Sequence, residues 1–230
     1  MKLSIIICVY NEQETILTVI DRVQAAALPE GWSRELIVVD NCSTDGTRDL
    51  LKTVNAENVR MVYQPRNMGK GTSVRTGIPL CTGDYTILQD ADLEYDPADF
   101  MVLVEKAVAE NLDGVYGSRA LRDKGYHIYP INYWGVRLLN SMINVLYGTS
   151  FTDVASGYKL VRTSILQTLH LSCAGFELDI ELTTRLAQAT KKLGEAPIDY
   201  DPRTYDQGKK VPIRDAFKSM WIIVRDRFTS

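Results

Sequence analysis

Three carboxylates stand at alternate positions in Asp90-Ala91-Asp92-Leu93-Glu94, directly after the apolar run Tyr85-Thr86-Ile87-Leu88-Gln89. In extended backbone, residues i and i+2 point the same way, so Asp90, Asp92 and Glu94 are expected to face one site. Clustered carboxylates repel unless a cation lies between them. Mg2+ or Mn2+ takes oxygen ligands and shares them readily with a diphosphate. The three acids are therefore the candidate metal ligands. A solvated turn capping the next helix is the competing reading, and the place of the motif at the end of a buried strand favours the site.

Other residues suit the same chemistry. Asp40 ends the run Leu36-Ile37-Val38-Val39, where a carboxylate can accept hydrogen bonds from a base or ribose or can cap the turn at Ser43. Asn67-Met68-Gly69-Lys70-Gly71 brings glycines, backbone amides and a lysine to a helix start, which suits an anion; a loop that merely needs glycine is the alternative. It has neither the spacing of a Walker A loop nor G-x-G-x-x-G. Arg203-Thr204-Tyr205-Asp206-Gln207-Gly208-Lys209-Lys210 is a basic loop able to close over phosphates, or else a solvated surface loop.

Composition limits the alternatives. The chain has 230 residues, 45% of them hydrophobic, with a net charge of −3. That length fits one α/β domain with a substantial core, and that charge does not point to nucleic acid. The cysteines Cys8, Cys42, Cys81 and Cys173 form no CxxC clip and read as reduced thiols. His127 and His170 are the two histidines, and neither has the context of a zinc site or of a Ser-His-Asp triad. Met1-Lys2 leads straight into a strand-like run, and no stretch reaches the roughly 18 apolar residues of a spanning helix. The chain is thus expected in the cytoplasm, or peripherally at the cytoplasmic face of a membrane.

The elements that must position these residues alternate. Leu3–Val9, Leu36–Val39, Val59–Gln64 and Tyr85–Gln89 read as buried strands. Asn11 with Glu14 predicts a capping box for a helix to about Ala27. Ser43 and Thr44 are expected to cap the next helix, Gly69-Lys70-Gly71 to open another, and Asp96-Pro97 to start one reaching about Glu110. Strands separated by helices imply an α/β fold, a mostly parallel central sheet flanked by helices. Ligands then bind beyond the carboxyl ends of the strands, which gathers Tyr10, Glu12, Asp40, Lys70, Asp90 and Asp92 along one edge. In the second half, Tyr129–Phe151, Glu177–Lys191 and Ala216–Phe228 have helical spacing. The first of these is interrupted by Asn132, Arg137, Asn140 and Asn144.

Taken in order along the chain, these segments resemble family-two glycosyltransferases of GT-A type. Ser4 to Glu12 is similar to that family's "sIiIpvyNE" opening, Val38 to Thr47 to "vvDdgStDgT", and Asn67 to Gly71 to "N-x-G-K-G". Asn41 stands where a second acid is usual, and Cys42 where glycine is common. Asp90 to Pro97 (DADLEYDP), Tyr116-Gly117-Ser118-Arg119, Asp153 with Ser156-Gly157-Tyr158-Lys159, Gly175-Phe176-Glu177 and Arg203-Thr204-Tyr205 resemble the dolichol- or polyprenyl-phosphate sugar synthase branch.

The resemblance implies one catalytic domain, with residues 1–118 as the nucleotide-sugar half and 119–230 as the acceptor half. Tyr10, Glu12 and Asp40 would hold the nucleoside. Lys70, Asp90, Ala91, Asp92 and Lys209 would meet the rest of the donor, and Arg119 and Arg203 the phosphates. The reaction would be an inverting displacement from a GDP-mannose- or UDP-glucose-type donor onto a polyprenyl or dolichyl phosphate, assisted by Mg2+ or Mn2+. A lipid phosphate is already ionised near neutral pH and needs cationic positioning more than a base; a hydroxyl acceptor needs the base. Asp153 is the candidate base or acceptor-orienting group, with a turn or helix cap as its other reading. The apolar faces of Tyr129–Phe151 and Ala216–Phe228 would meet a membrane, a membrane-protein partner, a second copy of the chain or simply the core. The alternatives in function are transfer to a saccharide hydroxyl, or a catalytically silent nucleotide-sugar-binding subunit. A dehalogenase-type phosphatase fits less well, because its DxD belongs on an early strand and Leu93 follows Asp92 here. Tyr10-Asn11-Glu12 stands where a sugar-nucleotide pyrophosphorylase would carry a Gly- and Arg-rich loop.

Overall fold

The computed structural model describes residues 1–122, 130–202 and 213–229. The strands and helices alternate as β1 (Lys2–Val9), α1 (Ile16–Ala25), β2 (Ser33–Asp40), α2 (Thr47–Leu51), β3 (Val59–Tyr63), α3 (Lys70–Gly77), β4 (Tyr85–Asp90), α4 (Phe100–Ala109) and β5 (Gly114–Ser118). They continue as α5 (Arg119–Arg122), α6 (Pro130–Tyr147), β6 (Lys159–Arg162), α7 (Thr163–Leu166), α8 (Leu178–Ala189), β7 (Leu193–Pro197) and α9 (Ile213–Phe228). The strands form one seven-stranded sheet in the order β3-β2-β1-β4-β6-β5-β7. All neighbours pair in parallel except β6, which runs antiparallel to both β4 and β5.

The near-continuous apolar strands bury both faces, as a parallel sheet between helices requires. Alternation along β1 sends Leu3, Ile5, Ile7 and Val9 into one core and Ile6 into the other. The first core is closed by Ile16, Val19 and Val23 of α1 and by Phe100, Leu103 and Val104 of α4. The second is closed by Val74 of α3, Ile143 of α6, Leu182 and Leu186 of α8, and Ile222 and Ile223 of α9. Each such side chain, taken fully out of water, contributes about 1.5–3 kcal/mol. Among the described residues no helix is long and apolar enough to cross a membrane.

Register sets the functional edge. Val9 lies opposite Asp40, and Cys8 opposite Asp90, so β1, β2 and β4 finish level. β5 and β7 run the same way and deliver Arg119 and Tyr200 to that edge, while antiparallel β6 starts there with Lys159.

Two predicted caps do not form. α1 begins at Ile16 without a side-chain cap. Asn11 instead adopts φ 55°, donates its amide to Ser43 Oγ (2.9 Å) and accepts from the Thr44 amide at Oδ1 (2.8 Å). Ser43 and Thr44 thus bind the β1 loop rather than cap α2, whose Thr47 amide donates to Asp45 Oδ1 at 3.0 Å. The cap at Asp96-Pro97 does form: Asp96 Oδ1 accepts from the Ala98 amide at 2.9 Å and opens a 3-10 turn that leads into α4.

Candidate active site

β4 ends at Asp90, and the chain then turns instead of staying extended. Leu93 has φ 63°, a left-handed conformation that a branched residue rarely adopts. The alternation expected over Asp90, Asp92 and Glu94 therefore fails, and the three carboxylates part. Asp90 Oδ1 lies 2.7 Å from Lys70 Nζ. Asp92 Oδ1 accepts from the Glu94 amide at 3.2 Å. Glu94 Oε2 accepts from the Tyr200 hydroxyl at 2.7 Å. Among the described residues no three carboxylates, imidazoles or thiolates converge as a metal cage, so the three-acid ligand set is not assembled. The remaining fit is a shared site in which one or two carboxylates leave most positions to phosphate oxygens, as Mg2+ commonly accepts.

The loop after β1 is tied to this turn. The Thr15 hydroxyl lies 2.7 Å from the Ala91 carbonyl and 2.9 Å from Glu12 Oε2, and the Glu12 amide donates to Thr47 Oγ1 at 3.0 Å. Tyr10 at the strand end is exposed. Asp40 is fully buried; its Oδ2 pairs with Arg48 Nε at 2.6 Å and its Oδ1 accepts from the Ser43 amide at 3.1 Å. The bond that holds the Ser43 turn is thus present. Asn41 donates to Asn67 Oδ1 (3.0 Å) and accepts from the Met68 amide (2.7 Å). A carboxylate there could not donate, so asparagine at this position fastens the β2 loop to the lysine loop.

Three amides of the lysine loop are spent within the protein. Gly71 and Thr72 donate to the Ala174 carbonyl at 2.8 and 3.3 Å, and Gly69 to Asn67 Oδ1 at 3.1 Å. A Cβ at Gly69 would sit 2.2 Å from that same Ala174 oxygen, so glycine is required for the segment before α8 to dock. The Lys70 ammonium instead reaches the end of β4, 2.7 Å from Asp90 Oδ1. It lies 3.6 Å from Asp179 Oδ2 as well as against Asp90, with the Phe176 ring centroid 5.7 Å away. Burial opposes its charge, but Asp179 and Asp90 together hold its pKa well above the usual lysine range.

Arg119 and Asp153 form the second half. Asp153 is 0% exposed and Arg119 8%. Asp153 accepts from Arg119 Nε (2.7 Å), Nη2 (2.8 Å) and the backbone amide (3.1 Å). Asn140 and Asn144, the polar breaks in α6, grip the loop that carries Asp153: Asn140 Oδ1 accepts from the Val154 amide (2.9 Å) and Asn144 Oδ1 from the Phe151 amide (2.8 Å). Glu195 accepts from the amides of Thr152 and Asp153 (2.9 and 3.1 Å). Over this pair the rings of Tyr95, Tyr158 and Tyr200 pack together at 4.7 and 5.0 Å, with Arg119 4.8 Å from the Tyr200 centroid. Burial pushes the Tyr95 hydroxyl up to about 12, so it stays a neutral donor and acceptor; it accepts from the Gly157 amide at 2.9 Å.

Residues 1–122 thus bring Tyr10, Glu12, Lys70, Asp90, Asp92 and Arg119 to one edge as expected, with Asp40 beneath it. Arg203 and Lys209 lie outside the described residues. The sequence reading missed Lys159, Asp179, Tyr95 and Tyr200. Lys159 is fully buried, its ammonium 3.8 Å from Asp179 Oδ1 and bonded to the Ser156 carbonyl, and burial lowers its pKa. Asp179 lies in the first turn of α8, where an acid is ordinary. Only the docking of α8 reveals that it lies between two lysines.

Residues 4–169 match the family described as glycosyl transferase family 2. The chain belongs to that family. It is 31% identical over 176 residues to a dodecaprenyl-phosphate galacturonate synthase of Rhizobium johnstonii, covering 74% of this chain and 51% of that protein. It is 34% identical over 173 residues to an undecaprenyl-phosphate 4-deoxy-4-formamido-L-arabinose transferase of Pseudomonas fluorescens, covering 74% and 49%. It is 29% identical over 208 residues to the glycosyltransferase AglJ of Haloferax volcanii, covering 90% and 65%. The family-2 chain therefore spans between about half and two thirds of these relatives' lengths. In fold it is similar to glucosyl-3-phosphoglycerate synthase of Mycobacterium tuberculosis solved with UDP, at a TM-score of 0.75 and 20% identity over 98% of this chain and 80% of that one. It also resembles S. aureus TarS 1-349, at a TM-score of 0.66 and 18% identity over 98% and 65%. The fold is of the GT-A glycosyltransferase kind, as the sequence led one to expect.

Proposed function

We propose that the chain is an inverting glycosyltransferase that moves a sugar from a nucleoside-diphosphate donor to a polyprenyl phosphate. The donor meets residues 1–118 and the acceptor residues 119–230. Tyr10 and the Glu12 loop flank the nucleoside, and Asp40 acts through the turn it holds. Asp92, with Asp90, would hold Mg2+ or Mn2+ shared with the diphosphate; when bound, that ion neutralises charge developing on the leaving group. Lys70 adds a positive charge on the same side. Arg119 orients phosphate at the acceptor side, and Arg203 and Lys209 are proposed to close over phosphates.

The observation that carries the choice of acceptor is the Arg119–Asp153 pair. The candidate base has both oxygens bound to the arginine and no exposed surface. A saccharide hydroxyl must lose a proton, whereas an ionised phosphate attacks without a base. The names of two of the relatives above, each a polyprenyl-phosphate sugar enzyme, support the same acceptor class. Such an acceptor lies in a membrane. α6 and α9 carry exposed Trp134, Leu138 and Val145, and Phe217, Trp221 and Phe228, an apolar face suited to a lipid surface. The test is release of UDP or GDP by the purified protein from nucleotide sugars, with Mg2+ or Mn2+, with and without polyprenyl phosphate. Release that depends on polyprenyl phosphate is expected. Transfer to saccharides alone, or binding of nucleotide sugar without turnover on any acceptor, would reject the proposal. Asp92→Asn is expected to abolish release while leaving thermal unfolding close to that of the parent protein.

A further inference from the structure

Lys70 sits where the metal-dependent reading needs open coordination. Its Nζ is 2.7 Å from Asp90 Oδ1, and its side chain is only 14% exposed. The backbone beneath it is locked, because the Gly71 and Thr72 amides are spent on the Ala174 carbonyl and a Cβ at Gly69 would collide with that oxygen. The helix cannot shift to withdraw the charge, but the four-carbon side chain can rotate. A second partner is already within reach, since Asp179 Oδ2 is 3.6 Å from the same ammonium. Asp179 Oδ1 is buried without a hydrogen-bond partner among the described residues, with Lys159 Nζ 3.8 Å away. A buried carboxylate oxygen that makes no hydrogen bond is costly to keep, and it gives Asp179 unused acceptor capacity beside Lys70.

We propose that Lys70 occupies on Asp90 the place a divalent cation needs, and that it yields that place by passing to Asp179, so that cation and donor diphosphate are taken up together. The proposal rests on the metal-dependent donor site described above. An ammonium and a divalent cation on one poorly solvated carboxylate repel strongly, because both charges lie at contact distance where salt screens little. The diphosphate reverses the balance by bringing negative charge of its own. With it bound, the cation shares Asp90 with phosphate oxygens and the ammonium lies on Asp179, so every charge keeps an opposite partner. Asp179 is in this sense a positioning residue: it receives the lysine and touches no reacting atom. Lys159 Nζ, 3.8 Å from Asp179 Oδ1, flanks the same carboxylate on its other oxygen.

The experiment measures Mn2+ binding to the whole protein by the electron paramagnetic resonance of the free ion, alone and with UDP or GDP, so that no sugar is transferred. The parent protein is expected to bind Mn2+ at least about tenfold more tightly with the nucleoside diphosphate than without it. Lys70→Met is expected to bind Mn2+ alone about tenfold more tightly than the parent, and Lys70→Gln to do the same if the Met variant does not fold. Asp179→Asn, which removes the receiving charge, is expected to weaken Mn2+ uptake in the presence of the diphosphate. A folded Lys70 variant that binds Mn2+ alone no better than the parent, while the parent still binds it with diphosphate, overturns the lysine exchange and leaves the metal reading standing. Absence of Mn2+ binding by the parent under both conditions removes the metal reading and the exchange with it.

Discussion

Arg119 and Asp153 allow a prediction that separates a positioning pair from an acid–base group. Asp153 is fully buried and accepts three bonds from Arg119, so Asp153→Ala would strand a buried guanidinium. Removing one partner of a buried ion pair costs about 3–5 kcal/mol. For a domain of this size each kcal/mol shifts the midpoint by about 2–4 °C, so the expected fall in Tm is roughly 6–20 °C. Asp153→Asn keeps the shape and one acceptor and should lose less. The double change Arg119→Met with Asp153→Leu replaces the pair by apolar groups, which is often neutral or stabilising. It should recover most of the lost stability while staying inactive. Thermal unfolding followed by circular dichroism gives the stabilities, and single-turnover sugar transfer over a pH series gives the chemistry. As a pair that positions phosphate, Asp153→Asn lowers the rate without changing the shape of the pH profile. If Asp153→Asn instead keeps the parent Tm and removes an ascending limb of the profile, Asp153 is a base and not a positioning partner of Arg119.

Three further outcomes are expected. Burial is the largest influence on Asp99 and raises its pKa from 3.8 to about 6. The unfolded chain therefore loses that proton first as pH rises, and the stabilisation present below about 4 is lost as pH climbs through 6; Asp99→Asn should be relatively more stable than the parent at pH 8 than at pH 4 in urea unfolding, and an identical pH trend in both proteins would exclude Asp99. Gly157→Ala places a Cβ 2.9 Å from Asp90 Oδ2 and 3.1 Å from the Tyr95 ring, so donor-dependent turnover should fall at least about tenfold with the protein still folded; unchanged turnover would show that the Asp90 position tolerates displacement. Trp221→Ser with Phe217→Ser, both exposed on α9, should reduce sedimentation with anionic vesicles and leave the Tm within about 1–2 °C of the parent, since surface changes cost little; equal sedimentation would detach the apolar face from membrane binding.

Residue order alone determined the kind of fold and the edge at which the candidate site lies. Val38-Val39-Asp40 and Ile87-Leu88-Gln89-Asp90 are apolar runs ending in acids, and a parallel sheet buried on both faces has no other way to present such acids than at its carboxyl edge. The Asp96-Pro97 start was legible for the same reason: its cap depends on neighbours two residues away. Short-range regularity also misled. Asp90, Asp92 and Glu94 alternate in sequence, but the left-handed Leu93 breaks the extended geometry on which alternation depends. The amides at Gly69-Lys70-Gly71 looked open to an anion, but the carbonyl of Ala174, more than a hundred residues along the chain, accepts from the Gly71 amide and from that of Thr72 beside it. Whether Asp153 is a free acid or a spent one, and whether Asp179 is a helix cap or a seat between lysines, depends on which groups long-range packing sets opposite them. Spacing along the chain carries local geometry; the charge partners come from other elements, Arg119 at the end of β5 for Asp153 and Lys70 of α3 with Lys159 of β6 for Asp179 on the docked α8, and those meetings exist only in the folded protein.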